Sequence, residues 1–171
     1  MSTVTYKHQP AIHKTRGSIP LAGNSHLYKV TKVLWPDAVE SVIASLLIPR
    51  SLHVCCGLSQ LGDVRLDINP DVNPDTLHDA VPLPFDDQSF ETVFCDPPYN
   101  SKFQWNHDLL CELSRVAKRR IIFQHWFLPV NAHGQWKKLH SFELRDVYVW
   151  QPKTYFGRVQ VISVLDKVDA T

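Results

Sequence analysis

Residues 1–36 contain no aspartate or glutamate, although they carry Lys7, Lys14, Arg16, Lys29 and Lys32. Elsewhere, too, the chain is defined by what it lacks. Its four cysteines, Cys55, Cys56, Cys95 and Cys111, form no C-x-x-C pair, so a zinc site is not expected. They read as reduced, mostly buried thiols of an intracellular protein. Met1 to Pro10 has no apolar core of the kind a signal peptide needs, and no run reaches membrane-spanning length. A cytoplasmic protein that does not engage membranes is expected. There is no internal repeat and no low-complexity tract. A net charge near +1 excludes strong nonspecific attraction to nucleic acid through bulk charge alone. The basic stretch before residue 36 can still lie along phosphates, or act as a solvated tail.

What is present suits one globular domain. The 171 residues are 44% hydrophobic and 20% charged, enough for a real core. The organisation expected is a basic arm over 1–34 and one folded domain over 35–171. The stretch "PDAVESVIASLLI" reads as the first helix. Pro36 suits its first position, and Ala38, Val39, Val42, Ile43, Leu46 and Leu47 form an apolar stripe. "SLHVCCG" follows as a buried strand ending at Gly57, then "DVRLD" as a short strand ending at Asp67. A loop rich in Asp, Asn and Pro runs to about Leu77, and "LHDAVPLPFDDQSF" is mostly loop. "ETVFC" is a strand leading into Asp96.

Residues 104–117 suit a second amphipathic helix, with Trp105, Leu109, Leu110, Leu113 and Val116 on one side and Arg119 and Arg120 beyond its end. "RIIFQHWF" is a strand, and "FELRDVYVW" and "GRVQVISVL" alternate as an antiparallel hairpin. Helices between strands imply an α/β sheet, whose ligands sit at the carboxyl ends of the strands. One spacing resists a standard crossover. Only eight residues lie between Cys55 and Val64, whereas a parallel connection usually takes about a dozen or more, so the helix expected there is no more than a turn or two.

The stretch "FETVFCDPPYN" ends an apolar strand in an acid, two prolines and a tyrosine. Prolines lack an N–H and terminate strands. Asp96 is thus either a strand-ending turn or one half of a clamp for a flat polar group. Gly57 and Gly62 do not complete G-x-G-x-x-G, and Asp63-Val64 in place of Lys-Ser/Thr excludes a phosphate-cradling loop. Taken alone, Gly57 suits a tight turn, Asp67 a capping aspartate and Asp79 a loop residue.

Together, "HVCCGLSQLG", "RLDIN" and "HDAVPLPFDDQSFETVFCDPPY" resemble the class I S-adenosylmethionine-dependent methyltransferases, in particular the amino-methyltransferases with an Asp-Pro-Pro-Tyr motif. The resemblance runs from about Leu52 to Leu165. It implies a Rossmann-like sheet, mostly parallel with a C-terminal antiparallel hairpin and helices on both faces. It implies S-adenosylmethionine as cofactor, held by Cys55, Cys56, Gly57, Asp67, Ile68, Asp79, Ala80 and Asp96. In this family the acid at the second strand's tip accepts from the ribose hydroxyls, and the Asp-Ala pair meets the adenine. The catalytic residues implied are Asp96, Pro97, Pro98 and Tyr99.

The chemistry explains the motif. An exocyclic amine gives its lone pair to the ring and is a poor nucleophile. The Asp96 carboxylate and Pro97 carbonyl can accept its two protons and localise that lone pair, the prolines stiffening the turn. Tyr99 can stack on the base, a contact worth roughly 1–3 kcal/mol. Asn100, His125 and Trp126 are candidates to line the target pocket. Trp126 equally suits the core, and His125 a surface or capping position. Cys95 lies inside the strand, which favours a packed thiol over a nucleophile. The expected partner is nucleic acid, DNA before RNA, with adenine N6 ahead of cytosine N4. No separate target-recognition domain fits, so recognition falls to loops, the basic arm or a protein partner.

Overall fold

The computed structural model describes residues 37–98, 107–125, 141–150 and 160–168. In chain order these form helix α1 (Asp37–Leu46), strands β1 (Ser51–Val54) and β2 (Val64–Asp67), a 3-10 turn (Pro70–Val72), strand β3 (Thr76–Leu77), strand β4 (Phe90–Cys95), helix α2 (His107–Val116), and strands β5 (Ala117–His125), β6 (Phe142–Trp150) and β7 (Gln160–Lys167). The seven strands make one sheet in the order β3-β2-β1-β4-β5-β7-β6. β1 to β5 run parallel, and β7 lies antiparallel between β5 and β6. This is the expected α/β fold with its terminal antiparallel pair.

Alternation along the strands sends side chains to two cores. On one face Leu52, Leu66, Val93, Ile121 and Phe123 pack with Leu109, Leu110, Leu113 and Val116 of α2. On the other, Phe94, Ile122, Ile162 and Val164 pack with Ile43 and Leu46 of α1. Helices therefore cover both faces. Leu113 is fully buried, and truncating such a leucine costs about 2–5 kcal/mol. No helix among the described residues is long and apolar enough to cross a membrane.

Four details differ from the sequence expectations. β1 stops at Val54 rather than reaching Gly57, because Cys55 turns into the left-handed region at φ 58°. A two-residue strand, β3, lies where only loop was expected, its register set by pairing Leu66 with Thr76 and Asp67 with Leu77. β5 begins at Ala117, directly at the end of α2, so Arg119 and Arg120 belong to the strand. Arg120 is accommodated there by two bonds to Asp166, at 2.6 and 2.9 Å, and one to the Leu46 carbonyl.

The fourth concerns the β1–β2 crossover. It contains no helix at all. Its base is closed by Asp63, whose Oδ2 accepts from the Ser51 N–H at 2.7 Å and the Ser51 hydroxyl at 2.9 Å. Those two bonds hold the Asp63 carboxyl below the usual carboxylate range. His53 fills the space beneath, fully buried and stacked on Phe94 with ring centroids 4.3 Å apart. A buried imidazole thus supports the loop where a crossover helix would otherwise lie. Pro36, Trp105 and the "QPKTYFG" turn fall outside the described residues.

Candidate active site at the strand tips

β1 pairs with β2 on one side and β4 on the other, so the chain direction of the sheet's growth reverses between β1 and β4. In open α/β sheets the crevice for a ligand opens at such a point, beyond the carboxyl ends of the strands. Cys55, Cys56 and Gly57 follow β1, Asp67 ends β2, and Asp96 and Pro97 follow β4.

Asp67 organises the first part of this crevice. Its Oδ2 accepts from the Gly57 N–H at 2.8 Å, and its Oδ1 from the Asn69 N–H at 2.9 Å. The Cys56 N–H donates to the Leu66 carbonyl at 3.1 Å, and the His78 N–H to the Asp67 carbonyl at 3.0 Å. The loop after β1 is thereby fastened to the tip of β2. Each Asp67 oxygen accepts one of these bonds and keeps a lone pair for another donor. Gly57 has φ 52°, and among the described residues, its chain neighbours aside, a methyl group built on it would meet no atom within 4 Å. Ile68, next to Asp67, is 67% exposed, an apolar surface beside these acceptors.

The remaining predicted residues divide. Asp79 is exposed, with Oδ1 accepting from the Val81 N–H at 3.3 Å, while Ala80 is buried in the α2-side core. Asp96 is half-buried, and its N–H continues the ladder to the Val54 carbonyl at 3.3 Å. Pro97 is buried and Pro98 exposed. Tyr99, Asn100 and Trp126 lie outside the described residues. His125 is fully buried and shares a 2.8 Å hydrogen bond between its Nε2 and Ser163 Oγ. That corrects the reading of His125 as a surface or capping residue. Cys95 is packed at the end of β4 with no exposure, as its position in the strand predicted.

Two of the thiols, Cys56 and Cys95, are held in their protonated form. Burial, with the Asp67 carboxylate nearby, pushes the Cys56 thiol up to about 12. Burial, reinforced by a hydrogen bond with Cys55, holds Cys95 well above the ordinary thiol range.

Three residues that support the crevice were not singled out from sequence. Burial lowers His53 to about 3, so its ring is neutral. Its Nδ1 lies 3.2 Å from the Leu61 carbonyl, an acceptor, so Nδ1 carries the proton. Glu112 and Arg115 of α2 grip the loop that follows Asp79 and Ala80. Glu112 Oε2 accepts from the Leu83 N–H at 2.7 Å, and Arg115 donates to the Leu83 and Phe85 carbonyls at 3.0 and 2.7 Å. Arg115 also binds Glu112 and Asp87. The Arg115 guanidinium holds the Glu112 carboxyl low. A Glu-x-x-Arg spacing on a helix was the available signal, but its backbone partners were not.

No protein-family profile matches the chain, nor does any curated protein. Solved structures do. Magnesium protoporphyrin IX methyltransferase from Synechocystis PCC 6803, with bound SAM, superposes at a TM-score of 0.51 with 18% identity, covering 77% of this chain and 79% of that one. The 16S rRNA (adenine(1408)-N(1))-methyltransferase from Catenulisporales acidiphilia gives 0.53 with 14% identity, covering 82% and 95%. Geranyl diphosphate C-methyltransferase from Streptomyces coelicolor, with S-adenosyl-L-homocysteine, gives 0.50 with 13% identity, covering 77% and 80%. The chain has a methyltransferase fold. Among these neighbours the names cover a porphyrin, a terpenoid diphosphate and an RNA base, so the fold does not select the acceptor.

Proposed function

We propose that this chain is an S-adenosylmethionine-dependent methyltransferase acting on an exocyclic amino group of a nucleobase, adenine N6 in DNA first. The observation that carries this reading is the gathering of Gly57, Asp67 and the Asp96-Pro97 turn at adjoining strand tips, at the point where strand order reverses. The residues fit the cofactor on three counts. Asp67 offers lone pairs to ribose hydroxyls, Gly57 leaves the backbone approachable, and Ile68 presents an apolar surface to a flat ring. Cys55, Cys56, Asp79 and Ala80 would complete the cofactor site. When bound, the cofactor supplies an electrophilic methyl group on a sulfonium.

The chain's own task is to position and polarise the acceptor. Asp96 and the Pro97 carbonyl would accept the two amino protons, pulling the nitrogen toward tetrahedral shape. Holding reactants in such a geometry is worth about 7–11 kcal/mol. Pro98 and Tyr99 complete the motif, Tyr99 as the stacking partner and Asn100 and Trp126 as pocket neighbours. His125, being buried against Ser163, would shape that pocket from behind. A base inside a duplex would first be flipped out. Target choice would fall to loops, the basic arm or a protein partner, with no separate recognition domain.

A second reading is an RNA base as acceptor, favoured by the likeness to an rRNA adenine methyltransferase. A third, a cofactor-binding subunit without activity, is opposed by the intact Asp96-Pro-Pro-Tyr99 sequence. The deciding experiment incubates the protein with methyl-labelled cofactor and separate DNA, RNA and small-amine pools. Label is expected in DNA, and Asp96→Ala is expected to abolish transfer while most cofactor binding survives. Transfer by Asp96→Ala at the wild-type rate would overturn the mechanism.

A further inference from the structure

Lys118, Arg119 and Arg120 follow one another at the amino end of β5, the end of the sheet opposite the crevice. Regular alternation would send Arg119 to one face and its two neighbours to the other. Here, however, β5 advances three residues, from Ala117 to Arg120, where β4 advances two, from Phe90 to Thr92. A bulge of this kind re-aims side chains. All three cations line a single cleft of about 190 Å³, together with Ile48, Asp166 and Lys167.

Four cations and one carboxylate give this cleft a formal charge of +3, in a chain whose net charge is only +1. Part of that charge is committed to the fold. Arg120 donates from Nε and Nη2 to Asp166 at 2.6 and 2.9 Å, and from Nη1 to the Leu46 carbonyl at 3.0 Å. Asp166 also accepts from Arg145 at 3.1 Å, so one carboxylate is divided between two guanidiniums. Lys118 reaches Glu91 at 2.8 Å, but its side chain is 51% exposed. A pair so exposed yields to a competing anion at little cost. Arg119 and Lys167 form no ion pair among the described residues. The adjoining cleft is larger, about 330 Å³, yet Glu143 and Asp166 there balance Arg145 and Lys167. It has no excess charge to offer an anion.

We propose that the cleft at the amino end of β5 binds phosphate groups, with Lys118, Arg119 and Lys167 as the contacting cations and the Arg120–Asp166 pair as their support. A guanidinium offers a planar fork to two phosphate oxygens, and the ammonium groups add point charges. A carboxylate brings one charge and two oxygens to three separate cations. A phosphate monoester brings nearly two charges and three acceptor oxygens. A nucleic-acid backbone meets the same cations with successive phosphodiesters, releasing its counterions as it does so. The shared chemistry is the phosphate, whether a polymer or a free nucleotide carries it.

The cleft is separate from the crevice. Lys118 and His125 stand near the two ends of β5, and the strand between them spans roughly 20 Å. A ligand held at Lys118 therefore leaves the strand tips open. A nucleic acid engaged at both places would run along the edge of the sheet from one end to the other. That continuity rests on the acceptor reading above, whereas the phosphate site itself does not.

The test uses the full chain and, beside it, the double variant Arg119→Gln/Lys167→Gln. A labelled single-stranded oligonucleotide is followed by anisotropy between about 50 and 200 mM salt, and adenosine monophosphate and inorganic phosphate by calorimetry. In the variant, oligonucleotide affinity should fall roughly tenfold at low salt, and the log–log salt slope should become shallower by about 1.4, or about 0.7 for each lost contact. A loss confined to the monophosphate assigns the site to a free nucleotide instead of a backbone. A second readout needs no variant. Lysine acetylation of wild type, mapped by mass spectrometry with and without the bound probe, should show Lys118 and Lys167 protected. Wild-type affinity of the variant for every probe, or no binding of any probe by wild type, overturns the site. So does protection confined to the lysines before residue 36, which would place binding on the basic arm. None of these readouts uses the cofactor, so a failure of methyl transfer to DNA leaves them standing.

Discussion

The Gly57 N–H donates to Asp67 Oδ2 at 2.8 Å, joining the loop after β1 to the tip of β2. Because Asp67 Oδ1 also accepts from Asn69, one carboxylate serves two chain segments. An amide replaces one of these oxygens with an NH2 donor, which would face one of the two N–H groups. Asp67→Asn is therefore expected to lose about 1–3 kcal/mol of stability in urea titrations. Its S-adenosylmethionine affinity should fall roughly tenfold or more, a further 1.4 kcal/mol. Loss of stability with unchanged affinity would reduce Asp67 to a loop fastener.

The two glycines of this loop should respond in opposite ways to alanine. At Gly57 a methyl group meets no atom of the other described residues within 4 Å, so the cost to folding is chiefly the left-handed backbone, about 1–2 kcal/mol. The same methyl occupies the space through which a cofactor would approach, and binding should weaken by about tenfold or more. At Gly62, φ 94°, the added carbon would lie 3.1 Å from His53 Cβ and 3.3 Å from His53 N. Gly62→Ala should therefore destabilise by roughly 2–4 kcal/mol. Melting temperature and calorimetry on both variants separate the two effects.

The local pattern of the strands is what the sequence carries best. β4 and β7 are buried on both faces and read as near-continuous apolar runs, and the carboxylates at the tips of β2 and β4 stand out against them. β3 escapes because two residues have no periodicity, and its existence depends on β2 alone. Hydropathy extends β1 through both cysteines, but the left-handed turn at Cys55 is a backbone event that hydropathy does not record. Arg119-Arg120 looks like a helix-ending charge pair until Asp166, 46 residues away, claims Arg120. Likewise Arg115 serves the crevice through the carbonyls of Leu83 and Phe85, and carbonyls carry no residue-specific signal.

Arg115 holds its loop with a planar fork, donating through Nε, Nη1 and Nη2 to Glu112, Phe85, Asp87 and Leu83. A lysine ammonium keeps the charge but not this geometry. Arg115→Ala should cost roughly 2–4 kcal/mol, and Arg115→Lys should recover little of it. Hydrogen exchange at the Leu83 amide, which donates to Glu112, should accelerate in both variants. Wild-type protection of that amide in Arg115→Lys would show that charge alone suffices.

His53 gives the fold a pH dependence of definite sign. Burial lowers its folded-state value to about 3, against 6.5 for the exposed group, with Arg65 adding a smaller push in the same direction. Between those values the unfolded chain holds a proton that the folded chain does not. Acidification therefore favours unfolding, and stability is fully present above 6.5 and declines as pH falls toward 3. The slope approaches about 1.4 kcal/mol per pH unit, for a total of roughly 3–5 kcal/mol. The carboxyls of Asp63, Asp75, Glu112 and Asp166 are held low by their partners. Their contributions persist until pH falls into the ordinary carboxylate range, so a scan from pH 7 to 5 reads the histidines, and a variant is needed to separate His53 from the equally buried His125. Urea midpoints should fall over that interval in wild type. In His53→Phe, which keeps the stack on Phe94, they should fall less steeply. Parallel curves for the two proteins would place the acid sensitivity elsewhere.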